Sequence, residues 1–140
     1  MKLANLRPKV GAILVVDDEP DIVASLKDVL EAHLGEVKVL TAASGKAGLA
    51  MLKNETAVDL IISDFRMPGM DGLEFLTKCR EAAPGVPRIL ITAYPELDAA
   101  VRAINEAQIQ NFLTKPIMPE ALMQAVNAAL VKGRAGLAAR

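Results

Sequence analysis

Five side chains in this sequence are of the types that handle a phosphoryl group: Asp17, Asp18, Asp64, Thr92 and Lys115. Carboxylates crowded together repel one another, and a hard divalent cation relieves them. Mg2+ takes one or two carboxylates and fills its other positions with water and phosphate oxygens, so it suits this set better than a closed protein cage. A lysine ammonium and a threonine hydroxyl in the same pocket add a point positive charge and a hydrogen-bond donor. Cation, lysine and hydroxyl around one carboxylate are the parts that neutralise a phosphoryl group in transfer. Asp64 would be the nucleophile, and its product an acyl phosphate. Taken singly, each residue has a plainer reading, since an acid in a turn is commonly just solvated. What decides is whether the fold gathers them.

The elements that must do the gathering can be read from the apolar pattern. Leu60, Ile61 and Ile62 form a run buried on both faces, as a parallel sheet requires, and Pro68, Gly69 and Gly72 force a loop after Asp64. The strand expected over 58–63 thus ends on a carboxylate. Another over 12–16 ends on Asp17 and Asp18, one over 88–92 ends on the Thr92 hydroxyl, and one from about 110 to 114 runs into Lys115. A further strand is expected over 37–41. Helical spacing fills the gaps: Ile22, Leu26, Val29, Leu30 and His33 between Pro20 and a C-capping Gly35; Gly48, Leu49 and Leu52 after a capping Ser44; Leu73, Leu76 and Cys79 over 73–82. Leu97, Ala100, Val101 and Ile104 follow Pro95, and a last helix is expected over 120–131. Five strand–helix units in series predict a parallel sheet with helices on both faces, and ligands of such sheets bind at the carboxyl ends of the strands. Four of the five strand ends carry the polar residues named above.

Composition narrows the field. A chain of 140 residues is one domain with room for a good core, and 52% hydrophobic residues argue against disorder. Sixteen Lys and Arg against seventeen Asp and Glu leave a net charge of −1, with no nucleic-acid footprint. The single cysteine, Cys79, permits no intrachain disulfide and suits a reducing cytoplasm. Lys2, Arg7 and Lys9 precede an apolar run in the manner of a signal peptide, but the run stops at Asp17-Asp18-Glu19 instead of a small-residue cleavage site. No apolar run is long enough to span a membrane. His33 lies near a helix end with no partner motif, and a structural or surface role is expected for it.

Four stretches, Val15-Val16-Asp17-Asp18-Glu19-Pro20, Ser63-Asp64 with Met67-Pro68-Gly69-Met70-Asp71-Gly72, Ile91-Thr92-Ala93 and Phe112-Leu113-Thr114-Lys115-Pro116, together resemble the receiver domain of bacterial two-component response regulators. The resemblance implies a flavodoxin-like α/β fold of five βα units with sheet order 2-1-3-4-5. It divides the chain into an N-terminal extension (1–11), a receiver domain (12–131) and a frayed C-terminal tail (132–140). It implies Asp64 as phosphoacceptor and a Mg2+ site made by Asp17, Asp18, Asp64 and the backbone carbonyl of Arg66. Thr92 corresponds to the switch hydroxyl, Lys115 to the phosphoryl-pairing lysine, and Phe112 to the aromatic that moves on activation. A cis Lys115-Pro116 bond is implied as well. The domain would take its phosphoryl group from a histidine kinase or histidine phosphotransfer protein. It would catalyse only its own phosphorylation and slow dephosphorylation, and would signal through the face of its fourth helix, fifth strand and fifth helix, where a homodimer is also an option. Side chains two beyond the phosphoacceptor and two beyond the switch hydroxyl overhang the path of a hydrolytic water in such domains. Here they are Arg66 and Tyr94, and their bulk predicts a long-lived phosphoryl group.

The chain departs from the family pattern at Glu106-Ala107-Gln108, where many receivers have a glycine turn, and in its extension, which has no assigned role. Two rivals fare worse. A phosphatase of the haloacid dehalogenase type needs an acid two residues after the nucleophile, where this chain has Arg66. A flavodoxin needs a hydroxyl-rich phosphate loop after the first strand, where Asp17-Asp18-Glu19 would repel phosphate. Whether the domain stands alone or precedes an output domain is open on the sequence.

Overall fold

The computed structural model describes residues 11–54, 57–93 and 111–138. Residues 1–10 of the extension, Tyr94, the helix expected after Pro95, the Glu106-Ala107-Gln108 boundary and Gln110 lie outside the described residues. Strands β1 (Ala12–Val16), β2 (Lys38–Ala42), β3 (Val58–Asp64), β4 (Arg88–Thr92) and β5 (Asn111–Thr114) form one parallel sheet of order β2-β1-β3-β4-β5. Helices α1 (Pro20–Leu34), α2 (Gly45–Asn54) and α3 (Gly72–Ala82) follow β1, β2 and β3, and a C-terminal helix (Pro119–Ala138) follows β5.

The alternation of side chains along each strand builds two cores, one on each face. Leu14, Val16, Ile61 and Leu90 point to α2 and α3, where Leu52, Leu73, Phe75, Leu76 and Cys79 meet them. Ile13, Val15, Leu60, Ile62 and Ile91 point the other way, onto Leu26 and Leu30 of α1 and Leu122, Val126 and Ala129 of the C-terminal helix. β1 and β4 are buried along their whole length, so the continuous apolar runs were a sound sign of a parallel sheet covered on both faces. Cys79 is a core residue, fully buried, and burial pushes its thiol up to about 12. His33 is exposed and its ring Nδ1 lies 2.9 Å from the Val29 carbonyl oxygen, a local contact along α1.

Several boundaries move for identifiable reasons. Val37 spends its amide on the Gly35 carbonyl at 2.9 Å in the turn after α1, so the β2 ladder begins at Lys38 and runs to Ala42. Asp64 still pairs with Ile91, which carries β3 one residue further than expected. The Asp71 side chain accepts from the Glu74 amide at 2.8 Å and starts α3 at Gly72. The largest correction is at the C-terminus. The expected frayed tail from Lys132 is helical to Ala138, although Gly133 and Gly136 each disfavour a helix; adding residues to a formed helix avoids the cost of nucleation. Arg88, the first residue of β4, is fully buried and donates from Nη1 to the Val86 carbonyl at 2.9 Å, a burial the pattern gave no sign of.

Candidate functional site

The site lies at the carboxyl edge of the sheet, over the three central strands and β5. Three main-chain bonds carry the ladder past the strand ends and fix where the polar residues sit: Asp17 N–H to Ala42 O at 3.1 Å, Phe65 N–H to Ile91 O at 2.8 Å, and Lys115 N–H to Thr92 O at 2.8 Å. Asp17, Asp64 and Thr92 are thereby buried, at 2%, 5% and 2% exposure, while Asp18 at the start of the loop is exposed. Lys115 reaches in from the edge strand. Its Nζ stands 3.1 Å from Asp64 Oδ1 and 3.2 Å from Asp17 Oδ2, so one ammonium bridges both buried acids. The Lys115–Pro116 peptide is cis.

The electrostatics follow from this crowding. Burial raises Asp17 above the ordinary carboxylate value, against the opposing pull of the Glu19 backbone amide at 2.9 Å and of Lys115. Burial also raises Asp64, and the neighbouring Asp17 charge adds to it, again partly offset by Lys115. Burial works against the charge on Lys115, but its bond to Asp64 and the charges of Asp17 and Asp64 outweigh that and hold it above its usual value. Two buried acids share one cation and remain under-neutralised, which is the condition a bound metal relieves.

The donor set fits a hard cation. Carboxylate oxygens of Asp17, Asp18, Glu19 and Asp64 can all lie within 4.8 Å of one another. Oxygen-only ligands, two buried and two exposed, match a cation that keeps part of its water shell. Glu19 is the residue that reading the sequence passed over. It follows Asp17-Asp18 directly, and its Oε1 lies 3.6 Å from Lys115 Nζ. The third acid in the run was the available signal, hidden because the residue also occupies the N-cap position of α1.

The loop from Phe65 to Asp71 forms the opposite wall, with Arg66 exposed and Met67 buried beneath it. Its closure depends on Gly72. The Gly72 amide donates to the Phe65 carbonyl at 2.6 Å, and a Cβ at this position would overlap the Asp64 carbonyl oxygen. Gly69, at φ +81°, supplies the turn. Phe112, half-buried in β5, packs on the core shared with α2 and α3. The geometry therefore brings Asp17, Asp18, Asp64 and Lys115 into one cluster, with Thr92 on the same edge and Arg66 on the rim.

The sequence pattern of the response regulator receiver domain matches residues 13–127. The chain belongs to this family. Among curated proteins, the receiver is 39% identical over 122 residues to the transcriptional regulatory protein GlrR of Escherichia coli K12, a match covering 87% of this chain and 27% of that protein. It is 39% identical over 108 residues to the DNA-binding transcriptional regulator NtrC of Salmonella typhimurium LT2, covering 76% of this chain and 22% of that protein. This chain thus spans about a quarter of the length of the curated relatives it matches. Among solved structures, a CheY-like receiver domain protein from Methanospirillum hungatei superposes with a TM-score of 0.84 at 31% identity, covering 91% of this chain and 98% of that one. NtrX from Brucella abortus superposes at 0.83 and 27% identity, covering 91% of the receiver and 28% of NtrX. The expected flavodoxin-like topology and the receiver assignment both hold. Among the described residues no helix is long and apolar enough to cross a membrane.

Proposed function

We propose that Asp64 is the phosphoacceptor of this receiver and that it takes its phosphoryl group from a phosphohistidine, on a sensor kinase or a phosphotransfer protein, in the cytoplasm. The observation that carries the reading is the Lys115 ammonium, 3.1 Å from Asp64 and 3.2 Å from Asp17. It is aimed at the one buried carboxylate that ends the central strand. In the transfer an Asp64 oxygen forms a bond to phosphorus while the P–N bond to the donor breaks. The bonding pair returns to the protonated ring, which leaves as neutral imidazole. Lys115 gives up its contact with the Asp64 carboxylate and pairs with a phosphoryl oxygen instead. Asp17, Asp18, Asp64 and the Arg66 carbonyl would hold Mg2+, which supplies neutralisation of the phosphoryl oxygens when bound.

Signal output rests on the same edge. The phosphoryl group brings roughly −1.5 to −2 charge into a pocket whose lysine was already shared. The buried Thr92 hydroxyl turns to the new oxygens, and Phe112, only half-buried, follows into the space this opens. The altered face includes β5 and the C-terminal helix. The test is labelling with acetyl phosphate in Mg2+. Asp64 should carry a hydroxylamine-sensitive phosphoryl group, lost in Asp64→Asn and in excess EDTA. Undiminished labelling of Asp64→Asn at another residue would sink the assignment.

A further inference from the structure

Glu19 has two unrelated reasons to be where it is, and only one concerns the helix. Its backbone caps nothing unusual: its carbonyl accepts from Ile22 and Val23 at 3.1 and 3.2 Å as α1 begins. Its side chain makes no capping bond, although the N-cap position would allow a carboxylate to take one. Instead Oε1 lies 3.6 Å from Lys115 Nζ, with the Glu19 side chain 63% exposed and the lysine 13% exposed. The Glu19 carboxylate is therefore a solvent-exposed negative charge beside the lysine that contacts Asp64, and one of its oxygens lies within 4.8 Å of an Asp64 carboxylate oxygen.

We infer that Glu19 is a specificity-determining residue for the phosphodonor, acting as a charge filter at the mouth of the site; this rests on the reading of Asp64 as phosphoacceptor. A donor that places its phosphoryl group on Asp64 brings that group close to this carboxylate. A small free donor carries its full negative charge past it and is repelled, the more so the higher that charge. A protein donor that presents a lysine or arginine beside its phosphohistidine meets Glu19 as an ion-pair partner instead. The filter thus favours a basic protein surface over free acyl phosphates. Because Glu19 is exposed, its effect is screened by salt, unlike the contacts of the buried Asp17 and Asp64.

The experiment compares the full chain with its Glu19→Gln variant at saturating Mg2+, so that altered metal affinity cannot enter. Labelling rates are taken with doubly charged acetyl phosphate and singly charged phosphoramidate, at low and high salt. Removing the charge should speed labelling by acetyl phosphate roughly three- to tenfold at low salt, speed phosphoramidate clearly less, and lose most of the gain in high salt. Glu19→Asp should return the parent behaviour in part. Equal acceleration with both donors would mean that Glu19 acts on Lys115 or the metal, and would overturn the filter. So would unchanged or slower labelling by acetyl phosphate. Should the parent itself fail to label at Asp64, it is the phosphoacceptor reading that falls, and the two failures are told apart by that control.

Discussion

At the scale of single residues, the site is held under electrostatic load. Asp17 and Asp64 both have folded-state values raised from about 3.8, so over the interval between the unfolded and folded values the native state binds more protons than the unfolded chain. Without metal, stability must therefore fall as pH rises through that interval. Lys115, raised from 10.5, adds stability that is full below that value and lost as pH climbs through its folded one. Asp17→Asn should stabilise the metal-free protein at neutral pH by on the order of 1 kcal/mol and flatten the acid-side slope. Urea melts in EDTA at several pH values would show it, and an unchanged slope would contradict it. The same substitution should weaken Mg2+. Arg66 acts on a different quantity. Exposed on the rim two residues after Asp64, it can lay its guanidinium on the phosphoryl oxygens and shield them from water. Arg66→Asn should shorten the phosphoryl lifetime several-fold, measured as loss of label after the donor is removed.

At the scale of elements, the loop between β3 and α3 is fixed mainly by backbone. Gly72 brings the first turn of α3 against the Asp64 carbonyl, so any side chain there must push the helix or Asp64 aside. Gly72→Ala should cost about 1–3 kcal/mol, as overpacking typically does, and should slow labelling of whatever remains folded. Urea melts together with labelling rates test both parts; a variant as stable and as fast as the parent would show that the loop yields freely. Gly48 is a milder case, with Phe75 and Val16 at 2.9 Å from where its Cβ would stand. The close approach at Gly72 was not legible from the chain, because a glycine in Met-Asp-Gly reads simply as a turn residue, whereas Gly48 was already placed on the packing stripe of its helix. Strand positions, by contrast, were legible almost to the residue. The runs of β1 and β4 are apolar and buried along their whole length, and β3 nearly so, and each is closed by a charged or hydroxylated residue; β2 and β5, more exposed, were placed by the same βα repeat. The candidate site was legible for the same reason, since a parallel sheet puts every strand end on one edge. What escaped were facts of three-dimensional structure: the buried Arg88, the reach of Glu19 to Lys115, and the length of the C-terminal helix.

At the scale of the whole molecule, two cores flank one sheet, and the acids at its edge detract from the stability those cores supply. A cation that binds only the folded form should return it. At a free concentration one hundred times its dissociation constant, Mg2+ should add about 2.7 kcal/mol of stability, reversed by EDTA. A melting temperature indifferent to Mg2+ would show that the acidic cluster does not hold the ion.

The lysine bridge joins residues 98 positions apart, Asp17 near the start of the chain and Lys115 just past the last strand. Timing follows from that separation. Contacts so distant in sequence form late, after the cost of closing the intervening loop has been met. As the chain folds, β1 and β3 can pair and bring their acids together well before β5 docks at the edge. Until then the cluster has no lysine, and Asp64 stands without its counter-charge. Competence for phosphotransfer should therefore arrive only once β5 has docked, and a receiver without that strand should accept no phosphoryl group. In refolding experiments the capacity to accept phosphate should appear with the phase that docks β5, and not before it.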